Sequence, residues 1–171
     1  MCYFLYLGSP LTLSEVRSML PPGLTCDLAS RAGHETVKAM HPDAVTVARI
    51  LAGRCSCDLI RARLSDSKED ERHLRERYRR LGLSRSAMIE ALERHRGPAT
   101  PRTRKSEAGG ELSRFVAEHA RNAGPSLYYL HFSSDSDPPS PLGSIRRVSS
   151  AMVTASAGDW LEEGTPTLII R

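Results

Sequence analysis

The stretch CYFLYLG, residues 2–8, decides the fold, because it has the length and composition of a buried β-strand. Aromatic and branched apolar side chains dominate it, and the sequence Gly-Ser-Pro at 8–10 stops it. The segments SLYYLHFS, residues 126–133, and TPTLIIR at the end of the chain have the same character. We expect these three segments to form the central strands of one sheet.

Helical patterns are separated from these strands along the chain. LTLSEVRSMLPPG predicts a short helix that Thr12 or Ser14 can cap and that the Pro-Pro-Gly sequence ends. SDSKEDERHLRERYRRLG and SRSAMIEALERHRG predict two helices joined as a hairpin, the second capped by Ser84, and GELSRFVAEHARNAG predicts another. The fold class expected is therefore α+β: a mostly antiparallel sheet covered on one face by helices, including the αα-hairpin.

The other segments carry weaker patterns. AVTVARILAG, residues 44–53, favours a strand, whereas CDLASRAGHETVKAMHPD has no clean period and is expected to form loop and short turns. Residues 97–110 combine Pro, Gly, Thr and basic side chains, which predicts a flexible basic linker. SIRRVSSAMVTAS fits a strand pair or one bent strand. At 171 residues, the chain 1–171 is expected to be a single domain.

Composition limits the function classes. The hydrophobic fraction of 40% and charged fraction of 26% are ordinary for a globular protein. No apolar run is long enough to cross a bilayer, and the N-terminus lacks the basic region of a signal peptide. These features predict a cytoplasmic protein without a membrane partner.

Positive charge is concentrated in one region. Between Asp66 and Lys105 there are 12 basic and 7 acidic residues, whereas the rest of the chain has 12 and 13. Such a region can attract nucleic acid or an acidic protein partner, although mixed signs are also typical of a solvated helix face.

Two of the four cysteines stand one residue apart, at Cys55 and Cys57. In a reducing compartment, free or metal-bound thiols are favoured over disulfides. A structural zinc site needs four ligands, so the pair would require two more, for which Cys2 and Cys26 are the first candidates. His34 and His41 are further candidates. Two alternatives stay open: a redox-active thiol pair, and simple packing of small apolar side chains.

The segment LRERYRRLGLSRSAMIEALERH, residues 74–95, resembles a helix-turn-helix unit, with Gly82 at the tight turn. In that family the N-terminal part of the second helix reads bases in the major groove. Tyr78 departs from the pattern, since a small residue usually stands there. The resemblance implies that nucleic acid would be contacted by Arg79, Arg80, Arg85, Ser86, Glu90, Arg94 and Arg96.

No phosphate-binding loop, His-Glu-X-X-His motif or Gly-X-Ser-X-Gly motif is present in the sequence. His119 and His131 lie in apolar patterns and are expected to be hydrogen-bonded core residues. A small cytoplasmic binding or regulatory protein with a cysteine-centred site, metal or redox, is therefore favoured over an enzyme. The alternative hypothesis is a nucleic-acid-binding protein that uses the hairpin.

Overall fold

A computed structural model describes most of the 171-residue chain. The described residues are 2–53, 56, 59, 72, 75–76, 78–79, 82–96, 102–133, 144–155 and 160–171. Only the backbone is described for residues 2, 93–96, 102–109 and 132–133. In this part of the chain, no helix combines the length and apolarity that crossing a bilayer requires.

Six strands form one sheet. They are β1 (Cys2–Ser9), β2 (Leu24–Leu28), β3 (Thr46–Ala52), β4 (Ser126–Ser133), β5 (Arg146–Ser149) and β6 (Thr167–Ile170). Their order across the sheet is β2-β3-β1-β4-β6-β5, and every neighbouring pair is antiparallel except β5 with β6. The α+β class and the mostly antiparallel sheet are thus confirmed. The strands β1 and β4 are central as expected, and β6 is also an inner strand.

The described residues contain five helices. They are α1 (Leu13–Met19), α2 (Arg31–Met40), α3 (Arg85–Arg96), α4 (Arg102–Ala123) and α5 (Ser150–Ala155). The helix α1 begins where predicted: the Thr12 side chain accepts from the Glu15 amide, and the Glu15 carboxylate accepts from the Thr12 amide. Its capping box therefore satisfies two amides that the first turn leaves without a helical acceptor.

Helices lie against both faces of the sheet. On the first face, Leu5 and Leu7 belong to the larger core cluster with Phe115 of α4. On the second face, Tyr6 and Val37 of α2 belong to a separate cluster. Helix cover of a single face is therefore not confirmed.

The segment containing α2 differs from its expectation as a loop. Residues 24–28 pair with β3, and Ser30 caps α2 by accepting from the Gly33 amide at 3.2 Å. Only a narrow apolar side of α2 is buried, with Val37 at its centre. Because so few positions are apolar, the helical periodicity of hydrophobic residues is weak in this segment. Contact with the sheet stabilises the helix.

Two other expectations differ from the structure. Residues 102–110 of the predicted linker are helical and extend α4, while 97–101 lie outside the described residues. The segment after Ile145 forms β5 and then α5, so only its first half is a strand. Neither of these helical segments contains a proline. The basic composition of the first and the strand-favouring side chains of the second therefore do not prevent helix formation.

The turn before α3 has the hydrogen bonds of a Schellman motif. Gly82, at φ 72°, donates its amide to the Arg79 carbonyl, and the Leu83 amide donates to the Tyr78 carbonyl. Ser84 then accepts from the Ala87 amide at 3.3 Å, as its predicted role as N-cap requires. Of the predicted first helix of the hairpin, residues 72, 75–76 and 78–79 are described and are helical, and the others lie outside the described residues, so the αα-hairpin is not confirmed.

Candidate functional site

The segment with two cysteines is attached to the sheet through the residue between them. Ser56 is fully buried, and its hydroxyl accepts from the Leu5 amide at 3.1 Å and donates to the Ile50 carbonyl at 2.6 Å. Leu5 and Ile50 are cross-strand partners in β1 and β3. The Ser56 hydroxyl therefore bridges two central strands where a direct backbone hydrogen bond would otherwise join them.

Cys26 lies beside the same pair of residues. It is the cross-strand partner of Ile50 on the β2 side, so Cys26 and Ser56 approach Ile50 from different directions. Cys26 is buried and is a free cysteine. Cys55 and Cys57 themselves lie outside the described residues, but each is covalently bonded to Ser56.

The surroundings of Cys26 keep its thiol protonated at neutral pH. Burial raises its pKa above the ordinary value of 9.0, and a hydrogen bond from Arg17 opposes this change without cancelling it. The Arg17 guanidinium also donates two hydrogen bonds to the Cys26 carbonyl, at 3.2 and 3.1 Å. A protonated thiol is a weak nucleophile, so Cys26 would have to lose its proton before it could bind a metal or attack a disulfide.

Cys2, another predicted ligand, occupies a different place in the sheet. Its backbone pairs with Ser133 of β4, three residues along β1 from Leu5. The strand β3 lies between β1 and β2, so backbone spacing separates the Cα atoms of Cys2 and Cys26 by about 14 Å. A single zinc ion with bonds of about 2.3 Å to sulfur does not span that distance. Within the described residues, no group of three or more His, Cys, Asp and Glu side chains could hold a metal ion.

The two alternative histidine ligands are on α2 and just after it. His34 is exposed, and His41 is half-buried with its Nε2 atom lacking a hydrogen-bond partner among the described atoms. His41 lies near Gly8 on the second face, whereas Cys26 belongs to the core cluster of the first face. The sheet therefore separates His41 from Cys26.

The residues predicted to contact nucleic acid are partly described. Arg79, Arg85, Ser86 and Glu90 are exposed. Arg80 lies outside the described residues, and Arg94 and Arg96 are helical residues whose side chains are not described. Tyr78, the departure from the helix-turn-helix pattern, is fully buried in the core cluster that also includes Leu92 of α3. A large buried side chain therefore stands where the helix-turn-helix pattern has a small one.

A buried polar chain was missed by sequence reasoning. The Ser9 hydroxyl lies 2.9 Å from His119 Nε2, and the Tyr128 hydroxyl lies 3.2 Å from His119 Nδ1. All three residues are fully buried. Burial lowers the pKa of His119 to about 4, so its ring is neutral at pH 7. The apolar period of α4 correctly indicated a core histidine, but nothing in the sequence indicated Ser9 as its partner.

A serine beside a histidine resembles the nucleophile and base of a hydrolase, but this pair is closed to substrate. The Ser9 hydroxyl also accepts from the Leu11 amide at 3.0 Å, and the Phe115 ring stacks on His119 with centroids 5.4 Å apart. A nucleophilic serine must be reachable by its substrate. We interpret the hydrogen-bonded residues Ser9, His119 and Tyr128 as a structural connection between β1, α4 and β4.

His131 only partly matches its expectation. It is buried, at 6% exposure, but its Nε2 atom has no hydrogen-bond partner among the described atoms. Its ring stacks on Tyr129, with centroids 6.3 Å apart. Burial lowers its pKa to about 4.

Comparison with known proteins gives no assignment, since no family model, curated protein or solved structure matches this chain.

Proposed function

We propose that the chain is a small cytoplasmic binding or regulatory protein with a thiol-centred site at Cys55, Cys57 and Cys26. The proposal depends on one observation: Ser56, bonded to both cysteines of the pair, is fixed at Ile50, the cross-strand partner of Cys26. On this proposal, the thiols of Cys55 and Cys57 would lie close enough to the Cys26 thiol to act with it. Zinc is the metal whose preference for thiolates suits such a set, and a dithiol pair is the redox form of the same site.

Metal binding and redox chemistry make different demands on these residues. Zinc binding would take the proton from each ligating thiol and use the Cys26 side chain as a third sulfur. Redox chemistry would join two of the three sulfurs and release two hydrogens to an external disulfide. Cys2 is the fourth predicted ligand, and its place on β1 makes it the matched control for the other three.

The test is elemental analysis and native-state alkylation of the purified full chain. We expect either about one zinc ion per chain or thiols that react with iodoacetamide and become resistant after oxidation. Cys57→Ser should abolish zinc binding or the resistance to iodoacetamide after oxidation. Cys2→Ser should leave both unchanged. The proposal is wrong if the protein holds no metal and the thiols of Cys55 and Cys57 resist alkylation before oxidation.

We propose nucleic-acid binding by α3 as the second candidate function. It is supported by the Schellman turn at Gly82 and by the exposure of Arg85 and Ser86 at the start of the helix. Residues at this end of a recognition helix contact base edges, and Arg79, which precedes the turn, would contact a phosphate.

Gel shifts at low salt with mixed-sequence duplex DNA and RNA test this candidate. We expect binding that weakens as salt rises, because phosphate contacts release counterions. Arg85→Gln should weaken binding, and Arg147→Gln, the same charge change at an exposed position of β5, should not. Absence of any shift at low salt would exclude this candidate.

A further inference from the structure

The second face of the sheet carries an array of four rings on β1 and β4. Tyr6 is opposite Tyr129, and Phe4 is opposite His131. The rings of Tyr6 and Tyr129 are 6.5 Å apart, and both residues are fully buried in the cluster that α2 covers. Phe4 is half-buried, so the array reaches the surface at its ring.

Arg49 adds a positive charge at this open end. It is the cross-strand partner of Tyr6 on β3, and its guanidinium carbon lies 6.0 Å from the centre of the Phe4 ring. Asp27, its partner on the other side, is instead 3.8 Å from Arg17. Among the residues that the structure describes, no carboxylate lies within 4.0 Å of Arg49. The charge of Arg49 is therefore not balanced by a described ion pair.

The first turn of α2 adds further positive potential. A Cβ atom placed on Gly33 would lie 2.7 Å from the Tyr6 ring, so the amino-terminal end of this ten-residue helix sits against the array. The amino-terminal end of a helix carries a partial positive charge. An anion on this face would interact favourably with the guanidinium, and the start of a helix also favours an anion.

Two buried nitrogen atoms on either side of Phe4 lack partners. The Nε atom of Arg49 and the Nε2 atom of His131 are both buried, and neither has a hydrogen-bond partner among the described atoms. Arg49 is on β3 and His131 is on β4, the two neighbours of β1, which carries Phe4. Leaving a buried donor unpaired is unfavourable, so an oxyanion that accepts from the Arg49 Nε–H would recover that cost.

We propose that this face binds a small aromatic oxyanion, a carboxylate or phosphate attached to a flat ring. The oxyanion would accept from Arg49 near the start of α2, and the ring would lie along Phe4 toward His131. Arginine suits both carboxylate and phosphate, and an aromatic side chain favours a flat ligand over an aliphatic one. This site is on the opposite face from Cys26 and is independent of the thiol proposal.

The experiment titrates the full chain with four probes: benzoate, phenyl phosphate, acetate and inorganic phosphate. Binding is followed by calorimetry and by the NMR signals of the His131 ring. We expect benzoate or phenyl phosphate to shift these signals, and the matching probe without a ring to bind at least about tenfold more weakly. The member of the pair that binds more tightly identifies the source as carboxylate or phosphate.

Two variants distinguish binding at this site from nonspecific attraction to positive charge. Arg49→Gln should weaken binding by about tenfold or more, the effect of losing one charge-assisted hydrogen bond, whereas Arg147→Gln should leave it unchanged. The His131 signals of the wild-type chain give a second reading that needs no variant. The proposal is overturned if no probe shifts those signals, if the probes without a ring bind equally well, or if both variants weaken binding alike.

Discussion

At the residue scale, the Ser9–His119–Tyr128 chain shows how polar atoms are tolerated in this core. His119 is fully buried, yet each of its ring nitrogens has a hydroxyl within hydrogen-bond distance. The nearby Trp160 indole donates to the Ser113 hydroxyl at 3.2 Å. Buried polar groups that keep their partners cost little, whereas removing one partner leaves the other unpaired.

Ser9→Ala should therefore destabilise the protein by about 1–3 kcal/mol, because the Leu11 amide and His119 Nε2 both lose the same partner. Urea unfolding at pH 7 measures this change. Ser14→Ala, at an exposed site in the first turn of α1, is the control and should cost less. Equal stability of Ser9→Ala and the wild type would contradict the hydrogen-bond chain.

His119 also makes stability depend on pH. Its pKa is about 4 in the folded protein and near 6.5 in the unfolded chain, because burial disfavours the charged ring. Between these values the unfolded chain binds a proton that the folded protein does not. The free energy of unfolding should fall as pH falls from 6.5 to 4, by up to about 1.4 kcal/mol per pH unit for this histidine. His131, with the same direction and cause, should add to the effect.

Urea unfolding at several pH values between 7 and 4 tests this dependence. His119→Gln keeps a hydrogen-bonding side chain that does not titrate. Its free energy of unfolding should therefore change less with pH than that of the wild type. A slope unchanged by this substitution would show that the folded protein protonates His119 as readily as the unfolded chain does.

At the element scale, α2 depends on two close contacts with β1. A Cβ atom on Gly8 would lie 2.8 Å from Val37 Cγ1, and one on Gly33 would lie 2.7 Å from the Tyr6 ring. Real Cβ atoms do not approach so closely, so glycine is required at both points for α2 to reach the second face. This requirement explains a glycine in the first turn of a helix, where it is otherwise unfavourable.

Gly8→Ala should destabilise the protein by about 1–3 kcal/mol through overpacking between β1 and α2. Gly110→Ala in α4 is the matched control, because its position is exposed and has nothing within 4 Å. That substitution should stabilise by about 0.5–1 kcal/mol through helix propensity. Thermal or urea unfolding measures both, and a stabilised Gly8→Ala would disprove the close contact with Val37.

At the scale of the whole molecule, the sheet order fixes which segments are protected. The strands β1 and β4 have neighbours on both sides, and β2 and β5 are the two edges. Both edge strands are short, at five and four residues, while β1 and β4 have eight each. Short edges limit the unpaired backbone that could join another sheet.

Amide hydrogen exchange should reflect this order. We expect the amides of β1 and β4 to exchange only through global unfolding, because both strands are paired on each side and covered by core clusters. Amides of β2 and β5 should exchange sooner, through local opening. Equal protection across all six strands would contradict the edge positions of β2 and β5.

The most apolar and best capped segments could be predicted from sequence because their signals are local. CYFLYLG and SLYYLHFS form adjacent strands, and the capping box of Thr12 and the cap of Ser84 occur where their residue types predict them. The helix α2 and the helical residues 102–110 could not be predicted, since their stability comes from packing or helix extension that composition alone does not reveal.

By itself, the sequence determined the α+β class, the inner strands and a cysteine pair separated by one serine. Only the tertiary structure decided that Ser56 bridges Leu5 and Ile50, that Cys26 lies opposite Ile50, and that Ser9 meets His119. Propensity and capping act between residues a few positions apart, so they can be read along the chain. Ser9 and His119 are 110 residues apart, and only the register of the strands and the packing of α4 bring their side chains together.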